Sequence, residues 1–194
     1  MLNPQYKIVL ASGSPRRKEL LAGLGLQFEI RLLPDIDESY PEGLSGEAIA
    51  CAISKKKAAA YRPTLAPDEL IITADTIVYL DGEVLGKPHD EAEAHKMLRK
   101  LSGRTHQVIT GVTLLTKDLE HTFDCVSNVT FANLTDKEID YYIENYKPND
   151  KAGAYGIQEW IGYIGVESIE GSYFNVMGLP VQRLYQTLKQ FNLI

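Results

Sequence analysis

The 194-residue chain has no run near the roughly 18 consecutive apolar residues that a membrane-spanning helix needs, which excludes a helical membrane protein. The opening stretch, Met1-Leu2-Asn3-Pro4-Gln5-Tyr6-Lys7, lacks the apolar segment of a secretory leader, so a cytoplasmic setting is expected. Cysteine is scarce: Cys51 and Cys125 stand far apart in no CxxC pattern, which excludes a disulfide scaffold and reads as two reduced thiols. A basic excess is lacking as well. The net charge of -6 repels long polyanions and argues against nucleic acid as a partner, while leaving room for a small anion held by a local basic site. The histidines, His89, His95, His106 and His121, show no metal-ligand spacing, and no Cys/His cluster suggests zinc. Neither GxGxxG, a Walker A motif nor a nucleophile elbow occurs, and residue order alone offers no Ser/His/Asp triad. Internal repeats and low-complexity linkers are also missing.

What is present is an ordinary globular composition, 44% hydrophobic and 24% charged, long enough for one domain spanning 1–194 with a sizeable core. The pattern predicts a strand over 7–11, a helix over 15–24 ended by Gly23 and Gly25, and a strand over 26–30. Pro34 to Pro41 is an acidic loop, and Ser45 opens a helix to about Tyr61. A short buried strand over 70–74 is expected to end at Asp75. Thr76 to Leu80 then meets Asp81-Gly82, the strongest short hairpin signal, with Glu83-Val84-Leu85 as the partner strand. Asp90 caps a helix to about Leu101, and two long β-branched strands follow over 107–116 and 122–132. Thr135 and Glu138 form a capping box for a helix to about Tyr146. Residues 151–177 read as loops and short strands, and 179–191 as a closing amphipathic helix. Alternating strands and helices make the class α/β, and the hairpin makes the sheet mixed.

Several constellations carry chemistry. Ala11-Ser12-Gly13-Ser14-Pro15-Arg16-Arg17 joins a buried strand to a helix start. Ser14 suits the N-cap and Pro15 the first helical position, and a helix start presents unpaired N–H groups to an anion. With Ser12, Ser14, Arg16 and Arg17 beside it, this is a polyphosphate cradle; the plain alternative is a capped helix with solvated arginines. Asp75 ends an apolar strand, where open α/β sheets place ligands. In the acidic loop Asp37 and Glu38 are placed to help Asp75 hold a hard divalent cation such as Mg²⁺, which takes few carboxylates and keeps water and phosphate oxygens. Lys57 lies late in the second helix and Lys87 sits between Gly86 and Pro88, whereas Lys55 and Lys56 are assigned to the solvated face. Gln158 closes Lys151-Ala152-Gly153-Ala154-Tyr155-Gly156-Ile157-Gln158, and its amide can read a base edge.

Taken with Gly86-Lys87-Pro88, Leu101-Ser102-Gly103-Arg104-Thr105-His106, Thr110-Gly111-Val112 and Asn175-Val176-Met177-Gly178-Leu179-Pro180, these segments resemble the Maf family of nucleoside triphosphate pyrophosphatases, in family order over nearly the whole chain. The resemblance implies a Maf/Ham1-like, ITPase-like fold: an elongated mixed β-sheet flanked by helices, in two lobes with a central cleft. It implies hydrolysis of a nucleoside triphosphate to the monophosphate and pyrophosphate, with a divalent metal (Mg²⁺ or Mn²⁺), and a homodimer. Three positions resemble those tied to base choice, here Arg16, Thr76 and Gln158, and their motifs resemble the branch acting on dTTP and UTP. The 7-methyl-GTP branch tends to carry Trp-Arg-Arg, Asp-Gln and a Glu, none of which occurs here. One departure is Lys55-Lys56 before Lys57-Ala58, where the family often has Arg-Glu.

The resulting expectation makes Asp75 the general base toward water, with Glu38 and Asp75 at the metal. Ser12, Ser14, Arg16, Arg17, Lys57, Thr76, Lys87 and Gln158 hold the nucleotide. The competing expectations are a 7-methyl-GTP-type pyrophosphatase and a nucleotide-binding regulator of septum formation with little turnover.

Overall fold

The computed structural model describes residues 5–194; residues 1–4, part of the stretch read above as lacking a leader, lie outside them. In chain order the elements are β1 (Lys7–Leu10), α1 (Pro15–Ala22), β2 (Phe28–Ile30), α2 (Gly46–Tyr61), β3 (Glu69–Leu80), β4 (Glu83–Leu85), α3 (Glu91–Leu101), β5 (Thr105–Leu115), β6 (Glu120–Phe131), α4 (Asp136–Tyr146), α5 (Trp160–Gly165), β7 (Val166–Glu170), α6 (Tyr173–Val176) and α7 (Val181–Gln190). One sheet takes the order β2-β1-β3-β5-β6-β7, with β4 added on β3. β1 runs parallel to β2 and β3, whereas β4 pairs antiparallel with β3 and β7 with β6, so the sheet is mixed as expected. No helix among the described residues is long and apolar enough to cross a membrane.

The chain divides into two compact units. The first comprises residues 5–75, 110–125 and 178–194; the second comprises 76–109 and 126–177. In the first, Val9 of β1, Ile71 of β3, Leu115 of β5 and Ala58 and Tyr61 of α2 make a common buried cluster. Helix α2 lies tight against β5, since a Cβ at Gly111 would stand 2.3 Å from the Ala50 carbonyl oxygen. Buried hydroxyls bridge the same layers: Ser54 Oγ meets Thr113 Oγ1 at 3.0 Å, and Thr73 donates to the Ser54 carbonyl at 2.7 Å. Where β2 ends, Arg31 clasps buried Glu69 with both terminal nitrogens, and Glu69 also accepts from the Ala66 N–H at 3.0 Å. The guanidinium holds the Glu69 carboxyl well below its ordinary value, at about 2.

The second unit has a core of its own, in which Val78 and Leu80 of β3, Leu98 and Leu101 of α3, Phe131 of β6 and Tyr142 of α4 pack together. His106 is buried there, with Nε2 2.7 Å from the Tyr155 hydroxyl and its ring edge-on to Phe131. Burial pushes its pKa down to about 4.

Local signals set most boundaries. Asp81 (φ 52°) and Gly82 (φ 84°) make the two-residue turn that twists β3 into β4. Thr135 and Glu138 complete the capping box of α4, and Asp90 accepts from the Glu93 N–H at the start of α3. Two expectations need correction. The strand expected to end at Asp75 runs through it: β3 is continuous over Glu69–Leu80. Aspartate is poor in strands for want of a partner, and Asp75 has one in Lys57, 2.7 Å away. The stretches 160–165 and 173–176, read as loop or strand, are helices α5 and α6. A Cβ at Gly162 in α5 would fall 1.8 Å from the Ile157 carbonyl oxygen, so the glycine permits a close approach.

Acid stability follows from two of these groups. His106 has a folded pKa of about 4 against an ordinary 6.5, so only the unfolded chain gains its proton and stability falls as pH drops from 6.5 toward 4. Glu69, at about 2 against an ordinary 4.5, contributes stability that is full above 4.5 and is lost as pH falls toward 2. Urea midpoints measured from pH 7 to 2 should fall through both windows. In Glu69→Gln the lower one should flatten, and an unaltered slope there would refute the assignment.

Candidate active site

The strand-to-helix turn expected at 11–17 is present in the first unit. β1 delivers the chain, and Ala11 still donates to the Ile72 carbonyl of β3 at 2.9 Å. Ser14 is the N-cap of α1, its hydroxyl accepting from the Arg17 N–H at 3.4 Å, with Pro15 opening the helix. Buried Ser12 accepts from the Ser14 N–H and from Arg17 Nη1, each at 3.3 Å. Gly13 has neither a positive φ nor a crowded Cβ position, so backbone geometry does not demand glycine there.

Arg17 has a role that residue order did not reveal. Its Nε donates to the Gly178 carbonyl at 2.8 Å, and Nη1 donates to the Ala74 carbonyl at 2.9 Å. The fork expected to meet phosphate oxygens is turned onto the protein's own acceptors. It ties the start of α1 to β3 and to the segment before α7. Burial pushes its pKa down; Asp75 opposes that shift, Arg16 adds to it and Glu38 opposes it more weakly. Arginine stays protonated all the same, so its charge remains beside Asp75.

Asp75 lies one residue beyond the Ala74 carbonyl that Arg17 holds, with its side chain 13% exposed. Lys57 reaches it from α2, with Nζ 2.7 Å from Oδ1. The same ammonium lies 3.0 Å from Glu38 Oε1, so segments 18 and 19 residues from Lys57 in sequence converge on one nitrogen. Asp37 does not join them. It accepts from Lys56 and from the Ser39 N–H at 2.8 Å, and the Lys56 pairing draws its pKa down to about 2. Lys56, assigned above to the solvated face, thus pins the acidic loop, while Lys55 pairs with Glu120 at 3.2 Å.

Among the described residues, no group of three or more His, Cys, Asp or Glu side chains is arranged to hold a metal. The donors that do converge, the carboxylates of Glu38 and Asp75, are hard oxygens already sharing one positive charge. Such a pair suits a hard cation that keeps water and phosphate oxygens in its other positions.

Thr76, Lys87 and Gln158 belong to the second unit. Thr76 is half-buried in β3, and Lys87 is exposed beyond β4, where the Gly86 carbonyl accepts from the Gly153 N–H at 3.0 Å. That bond joins the Gly86-Lys87-Pro88 motif to the 151–158 motif. Gln158 is half-buried, yet its Oε1 is buried with no hydrogen-bond partner. Its amide lies against Gly156, where a Cβ would stand 3.0 Å from Nε2. Two residues touching this segment, Tyr142 and Glu159, carry no signal in the sequence, because an aromatic in an amphipathic helix and an acid before a helix have ordinary readings.

The model of the family described as Maf-like protein matches residues 7–191. A dTTP/UTP pyrophosphatase of Phocaeicola vulgatus is 66% identical over 186 residues, 96% of each chain. Proteins of the same name from Parabacteroides distasonis and Bacteroides fragilis are 60% and 59% identical, covering 96% of this chain and 97% and 96% of their own. Among solved structures, a HAM1 protein of Coxiella burnetii has 17% identity and a TM-score of 0.49, over 95% of this chain and 99% of that one. With its family model spanning the cradle, the Lys57–Asp75 pair and the Gln158 segment alike, the chain belongs to the Maf-like family.

Proposed function

We propose that this chain hydrolyses dTTP and UTP to the nucleoside monophosphate and pyrophosphate, with water attacking the α-phosphorus. The observation that carries the reading is the Lys57 ammonium held between Asp75 and Glu38, beside a helix start dressed with Ser12, Ser14 and Arg16. Curated relatives up to 66% identical that bear the name dTTP/UTP pyrophosphatase support it. A pure binding protein has no need of a carboxylate positioned to accept a proton.

In this reading Lys57 engages Asp75 Oδ1, and the other oxygen takes the proton from the attacking water. That water adds to the α-phosphorus as the bond to the bridging oxygen breaks and pyrophosphate leaves. Ser12, Ser14, Arg16 and the N–H groups opening α1 receive phosphate oxygens, joined by Lys57; in the second unit Lys87 is the cation offered to the nucleotide. Each charge-assisted bond of this kind contributes about 1.5–3 kcal/mol. Arg17 adds its charge while bracing the cradle. Thr76 and Gln158 read the base, and the buried, unpartnered Oε1 of Gln158 supports this, as an acceptor waiting for a donor. Glu38 and Asp75 would hold Mg²⁺ or Mn²⁺, which supplies charge compensation to the phosphate oxygens when bound. The reading extends to a cytoplasmic homodimer. Cys51 and Cys125 support the compartment: both are unpaired, and burial pushes both thiols up. Sedimentation would report the dimer.

Incubation with dTTP, UTP, CTP and 7-methyl-GTP in the presence of Mg²⁺ tests the activity. Pyrophosphate should appear from dTTP and UTP, and tight binding without product would refute hydrolysis. Asp75→Asn should remain folded and lose roughly 10²–10⁴ in kcat; retention of most activity would remove Asp75 from the role. Arg17→Lys should behave differently. A lysine cannot reproduce a fork onto two carbonyls, so stability should fall by about 2–3 kcal/mol in urea titration, with activity lost alongside.

A further inference from the structure

The second unit holds an ionic network centred on a buried lysine, for which the proposed chemistry has no use. Lys151 is only 7% exposed, and its Nζ lies 2.7 Å from Asp150 Oδ1 and 3.2 Å from Glu159 Oε1. The other Glu159 oxygen accepts from the hydroxyl of Tyr142. That hydroxyl accepts in turn from the Gly156 N–H at 3.0 Å, and the Glu159 N–H returns to the Gly156 carbonyl at 2.9 Å. One phenol oxygen thereby closes residues 156–159 into a ring of hydrogen bonds.

Glu159 stands at the N-cap of α5, yet its side chain makes no capping bond. The carboxylate is committed to Tyr142 and Lys151 instead. Lys151 is buried and Glu159 mostly so, and a charge pair taken that far out of water adds little net stability over an apolar replacement of the same shape; its best-attested use is to specify one arrangement. Here the ring encloses Gln158. A Cβ at Gly156 would stand 2.9 Å from Glu159 Cδ and 3.0 Å from Gln158 Nε2, so the carboxylate and the amide pack against the same glycine. The Gln158 Oε1 that remains is the buried acceptor without a partner.

We propose that Tyr142, Glu159 and Lys151 form a positioning network that locks the Gln158 amide in one orientation and thereby sets which pyrimidine the protein accepts. The inference rests on the dTTP/UTP reading above. A primary amide carries a donor and an acceptor side by side, and turned over it presents the reverse pattern. Uracil and thymine offer an N–H at ring position 3 beside a carbonyl; cytosine offers a bare nitrogen there beside an amino donor. A glutamine free to turn serves both. One held with its oxygen forward accepts from the uracil or thymine N–H and leaves cytosine unmatched, and an unmatched buried polar group is what discriminates strongly. The three network residues act through Gln158 and touch no substrate.

Tyr142→Phe tests this, since it keeps the ring that stacks on Tyr146 at 5.2 Å and removes only the hydroxyl. For dTTP, kcat should stay within about twofold and KM should rise about tenfold, while the kcat/KM preference for dTTP over dCTP falls about tenfold. Glu159→Gln keeps an acceptor for Tyr142 and loses the Lys151 charge pair; it should fall between wild type and Tyr142→Phe, and it supplies the same readout should Tyr142→Phe not fold. Hydrogen exchange of the Gly156 amide, faster in the variant, reports that the ring has opened. A folded variant with faster Gly156 exchange and an unchanged dTTP-to-dCTP ratio overturns the proposal. Equal losses on both nucleotides do so too, because they mark a merely structural role. Failure of the hydrolytic reading appears separately, as wild-type protein releasing no pyrophosphate. The preference is then measured as the ratio of dissociation constants for dTTP and dCTP, where an unchanged ratio or equal losses again overturn the proposal.

Discussion

The Lys57 ammonium draws together two carboxylates that the chain delivers from different places, Glu38 from a loop and Asp75 from mid-strand. Two like charges brought close repel, and a carboxylate taken largely out of water loses its hydration; a shared cation offsets both costs. Lys57 can serve because α2 is anchored on both sides of it. Ala50 abuts Gly111, and Ala58 and Tyr61 are buried with β1 and β3. The ammonium therefore comes from a rigid helix, and the carboxylates arrange themselves around it.

Arg17 carries the same logic to the backbone. Its guanidinium holds the carbonyl just before Asp75 and the carbonyl of Gly178, so the strand bearing the acid and the helix bearing the cradle share one brace. In the second unit Glu159 plays the corresponding part, gathering Tyr142 and Lys151 around Gly156. Each of these side chains is desolvated, and each is matched by partners of fixed geometry. Against that background the Gln158 Oε1 and the His106 Nδ1 are buried polar atoms left without a hydrogen-bond partner.

Much of the fold was legible because its signals are local. Ser14-Pro15, Asp90, Thr135 with Glu138 and Asp81-Gly82 act on backbone groups within four residues of themselves, and each produced the cap or turn its chemistry dictates. Asp75, Lys57 and Glu38 also stand out in the sequence as residue types suited to phosphate and metal chemistry, and they do converge. Less legible was whatever depended on a distant partner. A strand broken at Asp75 was the natural reading of an aspartate after an apolar run, since nothing nearby in sequence announces Lys57 as its counter-ion. Helix α5 reads as loop or strand in the sequence, because the Ile157 carbonyl that its Gly162 accommodates comes close only in the folded chain.

Residue order alone therefore determined the class of the fold, most element ends and the cast of charged groups around the start of α1, because caps, turns and periodicity are short-range and each has few physical solutions. Tertiary structure alone decided the pairings: Asp37 with Lys56, Glu38 and Asp75 with Lys57, the Arg17 fork with two carbonyls, and Glu159 with Tyr142 and Lys151. Charge–charge attraction is nearly indifferent to sequence separation. Which cation meets which carboxylate depends on where packing sets the helices, and where the pair is largely buried, as for Lys57 with Asp75, burial then makes that choice costly to reverse.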